Sequence, residues 1–295
     1  MKRLTRDNTV PLDKRYKLYD PAIYVDLGES FIVETINFRT PIVNTFEDAN
    51  PEEFREREET GPIYINGISS GDIMAIHVED IQPVGHASGG IFDDSEKNSL
   101  LRIVDDKVHF PGGLWAKKSM MIGDIYVTPN TIEGNPWDNG GNMDFKDICT
   151  GNILCLRAYV DGGLLVLGDV HACQGDGEIY GLGAECAADV RLHITKDDSF
   201  LSQRPLIIKR DSFVSIACRH DYAEARDLAA QDASEILARL YNVTLREAQL
   251  YCKTVGDLRN GAIWSMGMET MPWGSKQGPP LVVGLEVPLL EKSID

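Results

Sequence analysis

A mainly β chain with a small helical portion late in the sequence is the expected fold, on three observations. Through the first two thirds, apolar-polar alternation repeatedly follows a Gly-Asp or Gly-Glu type of turn. A strong helical period occurs only late, between Glu224 and Leu240. From Gly278 to Leu290 the strand character returns. These observations predict a single unit over residues 1–295, β-rich from 1 to 220, with helices near 223–253 and a C-terminal strand segment within 278–290 that rejoins the sheet.

The stretches Asp26 to Thr35, Ser69 to Glu79 and Thr150 to Val160 are three copies of the turn-and-strand theme and suggest sandwich or barrel-like sheets. In the second copy Met74, Ile76 and Val78 point inward, leaving His77 and Glu79 on the opposite face. Pro83 to Asp94 and Pro129 to Asp144 are expected as long loops, which in compact domains often carry function. Leu164 to Leu167 reads as a buried strand entering a glycine-rich turn. Ala229, Ala233, Ile236, Leu237 and Leu240 then fall on one face of a core-packing helix. Thr244 and Glu247 form a capping-box pattern that starts a second helix at once.

Composition narrows the function classes. A formal net charge of -17 repels phosphate backbones, so nucleic acid is not an expected partner. No apolar stretch reaches the roughly 18 residues of a membrane span. Met1 to Asn8 is basic, but no apolar h-region of a secretory signal follows it. The 6 cysteines lack Cys-x-x-Cys spacing, which argues against a zinc ribbon or disulfide scaffold and points to a reducing, cytoplasmic setting.

Chemistry concentrates in the run Gly168 to Glu178, where Asp169, Asp176 and Glu178 surround His171 in a glycine-rich stretch. If the preceding strand stays extended, Asp169 and His171 project on one face, roughly 7 Å apart. A carboxylate and an imidazole can then share one cation, although a tight turn explains the same composition. Asn142 and Asp144 repeat the spacing and offer oxygen ligands. His86, set among glycines in a predicted long loop, is a further ligand candidate, whereas His77 and His193 read as surface residues and His109 and His220 carry no pattern.

A hydrolytic zinc site usually takes three protein ligands and leaves a position for water. Glu178 and Glu185 are candidate general bases or further ligands, and their spacing does not separate those roles. Oxygen-rich ligands also suit calcium or manganese, while a histidine favours zinc. Cys173, two residues after His171, is the alternative as a thiolate nucleophile. The phosphate-binding Gly-x-x-x-x-Gly-Lys loop is absent.

Four segments, Gly61 to Gly67, Ser70 to Ile76, Gly140 to Asp144 and Gly168 to Glu178, resemble the acetamidase/formamidase family in the same order and span most of the chain. The resemblance implies a jelly-roll-like or CUB-like β-sandwich that hydrolyses short aliphatic amides to carboxylate and ammonia. It also implies a divalent metal, zinc foremost, and a homo-oligomer. Asn142 and Asp144 match the family's glycine-asparagine loop, Asp169 and His171 its acidic-histidine pair, Glu178 the closing carboxylate and Glu185 a following glutamate. Asn37 stands near the end of an early strand where the family would place an acidic residue.

The resulting expectation is that Asp169 and His171, with His86, hold the ion, and that Glu185 or Glu178 handles the proton. Asp144 completes the catalytic set, and Asn142 and Gly141 bind the small amide substrate. A rival from another class is a non-catalytic β-sandwich that binds a metal or small ligand and serves as an assembly module.

Overall fold

The computed structural model describes every residue except 12–16, 38, 44, 54–57, 91–98, 130–135, 200–201, 268–277 and 291–295. Among the described residues, 18 strands join in one connected hydrogen-bonded network. Only two of its pairings are parallel, Lys2–Leu4 with Phe31–Glu34 and Ile23–Asp26 with Glu58–Asn66. A mostly antiparallel sheet follows from a sequence whose strands are joined mainly by short turns, because parallel neighbours need long crossovers.

Side-chain alternation divides the interior. Met74, Ile76, Leu154, Leu156, Val214 and Ile216 enter the main apolar core. Their chain neighbours Ala75, Cys155, Phe213 and Ala217 face a second core on the other side of the same strands. Helices α1 (Tyr222–Tyr241) and α2 (Leu245–Val255) cover that second face. Ala229, Ala233, Ile236 and Leu237 supply α1's buried stripe, which packs on the strands Ser212–Arg219 and Leu281–Pro288. The predicted closing strand therefore rejoins the sheet, pairing along its whole length with Ser212–Arg219.

The helix boundaries follow local chemistry. The Asp221 side chain accepts from the Glu224 backbone N–H, and Asn242 ends α1 in the left-handed conformation at φ 51°. Thr244 and Glu247 form the expected reciprocal capping box at the start of α2.

Three segments differ from the sequence reading. Pro83 to Gly89 is not loop, because the strand Ile73–Gly89 continues through it against Glu185–Lys196. Gly85, at φ 76°, sits where the register shifts beside Cys186 and Ala187, so the glycine serves a bulge rather than a loop. Residues 91–94 of that predicted loop lie outside the described residues. The run starting at Gly168 likewise opens as strand, since Leu165–His171 carries both Asp169 and His171. Within the second predicted loop, Gly140–Asn142 is a short strand paired with Met121–Val127, and residues 130–135 lie outside the described ones.

Candidate active site

The centre of the site is built by adjacent strands. His171 and Glu185 are register partners across the pair Leu165–His171 and Glu185–Lys196, which brings His171 Nε2 to 2.9 Å from Glu185 Oε2. Asp169 takes a left-handed φ of 52°, a conformation that aspartate tolerates better than most residues. Its Oδ1 lies 3.4 Å from the same nitrogen, so the expected common face is realised across an irregular strand.

Asp144 arrives from the segment after Gly140–Asn142. It too is left-handed, at φ 46°, and its backbone N–H donates to the Gly123 carbonyl. Asp144 Oδ1 stands 3.9 Å from His171 Nε2, while Asn142 Nδ2 donates to Asp144 Oδ2 at 2.7 Å. Gly123 is required by close approach. A Cβ there would lie 2.5 Å from Asp144 Oδ1 and 3.1 Å from Asp169 Oδ2.

Glu178 enters from the loop after His171, at φ 41°, with its carbonyl accepting from Gly181 N–H. Neighbouring Gly177 donates to the Asn260 carbonyl and accepts from Ile263 N–H. Arg259 binds Asp176 in this loop and Asp147 just beyond Asp144, so one guanidinium ties together two of the segments that deliver carboxylates. Lys146 also pairs with Asp176, at 3.0 Å. Asp176 thus anchors the loop from the surface side.

Two overlapping ligand sets result, Asp144–His171–Glu178 and Asp169–His171–Glu185, each with ligand atoms within 4.8 Å of one another. All five side chains are buried. Burial alone lowers the His171 imidazole pKa, but the charges of Glu185 and Asp169 outweigh it and carry the value well above 6.5. Burial pushes Glu185 up to about 7, with the His171 charge opposing. Burial and the Asp144 charge raise Glu178 well above the usual carboxylate range.

Four buried carboxylates around one imidazole carry excess negative charge, which in a low-dielectric interior must be met by protons or by a cation. The imidazole nitrogen and carboxylate oxygens converge at ligand spacing, and Gly123 leaves room where a side chain would intrude. The residues present therefore fit a divalent cation. A cavity of about 630 Å³ adjoins the cluster, with Glu178, Gln174 and Gly183 on the site side and Leu101, Phe110 and Leu182 among its apolar lining.

Other sequence-level candidates separate from the centre. His86 belongs to neither ligand set; its Nε2 lies 2.9 Å from Thr40 Oγ1 and its ring meets Phe46 edge-on. Its place on the bulged strand, rather than in a loop, fixes it there. Gly141 pairs with Ile125 and, like Asn142, does not line the cavity. Burial pushes the Cys173 thiol up, with the His171 charge opposing, which disfavours a thiolate. His77 and His193 stack on each other at 4.1 Å, away from the cluster.

Several contributors carry no obvious sequence signal. Asn37 Oδ1 accepts from the backbone N–H groups of Arg39 and Thr40, and its Nδ2 donates to the Glu185 carbonyl. It is scaffold where the family resemblance suggested an acid. Arg39, half-buried, places a positive charge near Glu185. Gln174 bridges His171 and the Asp144 backbone. Its position inside the run from Gly168 to Glu178 was the available clue.

Residues 117–211, which include every member of both ligand sets, match the Acetamidase/Formamidase family. The crystal structure of an acetamidase from Bacillus halodurans superposes with a TM-score of 0.79 at 29% identity, covering 97% of each chain. A formamidase of Methylophilus methylotrophus is 43% identical over 85 residues, 28% of this chain and 19% of that protein. A formamidase-named protein of Schizosaccharomyces pombe is 23% identical over 235 residues, 54% of this chain and 57% of that protein. The chain thus spans less than two thirds of the length of these two curated relatives. In fold along its length the chain is similar to a solved acetamidase, and in sequence the segment that builds the site matches the Acetamidase/Formamidase family over residues 117–211.

Proposed function

We propose that this chain hydrolyses the C–N bond of short-chain aliphatic amides to a carboxylate and ammonia, using a divalent cation held by the His171 cluster. The observation that carries the proposal is the convergence of Asp144, Asp169, Glu178 and Glu185 on His171, inside the segment that matches the amidase family. Asp169, His171 and Glu185 form the ligand set farther from the cavity, and Asp144 completes the shell. When bound, the cation supplies a Lewis acid that polarises a carbonyl and acidifies a coordinated water. Zinc suits the mixed nitrogen and oxygen donors, with manganese next.

Glu178 is the assigned base, because it belongs to a ligand set and also faces the cavity. Its carboxylate accepts a proton from water as the oxygen adds to the amide carbon. It then returns that proton to the nitrogen as the C–N bond breaks, releasing ammonia. Leu101, Phe110 and Leu182 offer apolar surface to the acyl group. A cytoplasmic setting is part of the reading, supported by six free thiols. So is a homo-oligomer, supported by the exposed Ile179 and Tyr180 beside the cavity mouth.

The test is ammonia release from formamide, acetamide and longer amides by the parent and by His171→Ala. The parent should turn over at least one of these, and the variant should lose metal and about 10³-fold or more of the rate. Stoichiometric metal with no turnover of any amide would instead favour the binding-module reading.

A further inference from the structure

We infer that Gln174 is a positioning residue that fixes the tautomer of His171, so that Nε2 is the nitrogen offered to a metal. The inference rests on the metal-binding reading above, but its argument comes from two hydrogen bonds. Gln174 Nε2 donates to the Asp144 backbone carbonyl at 2.6 Å. A carbonyl oxygen only accepts, so this contact fixes which end of the Gln174 amide is NH₂. The other end, Oε1, lies 2.6 Å from His171 Nδ1. An amide oxygen also only accepts, so Nδ1 must carry the hydrogen.

The remaining ring nitrogen follows by elimination. Nε2 faces Glu185 Oε2, Asp169 Oδ1 and Asp144 Oδ1, at 2.9, 3.4 and 3.9 Å. With Nδ1 committed to Gln174, the lone pair that a cation needs can be presented only at Nε2, toward these carboxylates. Gly183 supports the same placement, because a Cβ there would collide with the His171 ring at Nδ1 and Cγ. The ring is therefore held by an acceptor at its edge and by bare backbone beside it. Gln174 also couples two parts of the site, since the same amide holds the backbone of Asp144.

The test uses full-length protein labelled with ¹⁵N-histidine and loaded with zinc. The expected NMR signature of His171, assigned by its absence in His171→Gln, is a protonated Nδ1 with Nε2 ligated. Gln174→Met should weaken zinc binding by about 10- to 100-fold while leaving the thermal midpoint of the zinc-free protein close to the parent's. Gln174→Glu should recover part of that affinity, because a carboxylate oxygen also accepts from Nδ1–H although it cannot donate to the Asp144 carbonyl. A ligated Nδ1 with hydrogen on Nε2 in the parent overturns the inference, and that measurement needs no folded Gln174 variant. Zinc binding by Gln174→Met as tight as the parent's overturns it as well. No zinc uptake by the parent overturns the metal reading itself, and the inference with it.

Discussion

At the scale of single residues, the site depends on what is small as much as on what is charged. Gly123 faces Asp144 Oδ1 and Asp169 Oδ2 at distances that leave no room for a Cβ. Gly123→Ala should therefore cost roughly 1–3 kcal/mol by overpacking. It should also weaken metal binding by at least about 10-fold, read by calorimetric titration beside a thermal melt. Cys173→Ala should keep amidase activity within about 2-fold, because burial holds the thiol protonated and it belongs to neither ligand set. A complete loss of activity would restore the thiolate mechanism. The sequence made Asp169, His171, Asp144 and the two glutamates legible because carboxylate and imidazole at short spacing is a local pattern. It did not reveal Asn37 or Arg39, whose contributions exist only through partners far along the chain, nor Gln174, whose bridge from the nearby His171 ends on the distant Asp144 main chain.

At the scale of elements, the capping box and the apolar stripe of α1 were readable because helix signals repeat over neighbouring residues. The end of the strand Ile73–Gly89 was not, because its glycines read as loop until the partner strand Glu185–Lys196 is seen to run beside them. His86 lies on that strand rather than in a loop, and it belongs to neither ligand set found among the described residues. Arg259 illustrates how elements away from the chemistry hold it, since its guanidinium joins Asp147, Asp176 and Glu286. Arg259→Met should cost roughly 1–3 kcal/mol by leaving these carboxylates without their partner. It should also lower kcat well below the melting temperature, because the loop carrying Glu178 loses its anchor. Thr244→Ala provides the contrast. Losing that cap should cost about 1 kcal/mol in a thermal or denaturant melt and leave kcat/KM unchanged.

At the scale of the whole molecule, the buried acidic cluster opposes folding unless it is neutralised. Glu185 is raised to about 7 from 4.5, so between those values the folded state keeps a proton that the unfolded chain has released. His171 is raised above 6.5, so above that value the folded state again holds the extra proton. Both terms make stability fall as pH rises. The thermal midpoint of metal-stripped protein should therefore drop progressively from about pH 5 to pH 8, and bound metal should remove most of that slope while releasing protons. A midpoint that rises across this range in stripped protein would contradict the assigned environments. Strand pairing delivers His171 and Glu185 to one point, and the main apolar core takes Leu165, Leu167 and Val170 from one of these strands and Val190, Leu192 and Ile194 from the other.

The central claim is that the His171 cluster hydrolyses amides only when it holds a metal, and removing the metal tests it most directly. Protein stripped with a chelator and dialysed should release no ammonia from an amide that the untreated protein hydrolyses. Zinc or manganese added back should restore the rate in proportion to the metal bound. Undiminished turnover by protein shown by elemental analysis to be free of metal would contradict the account.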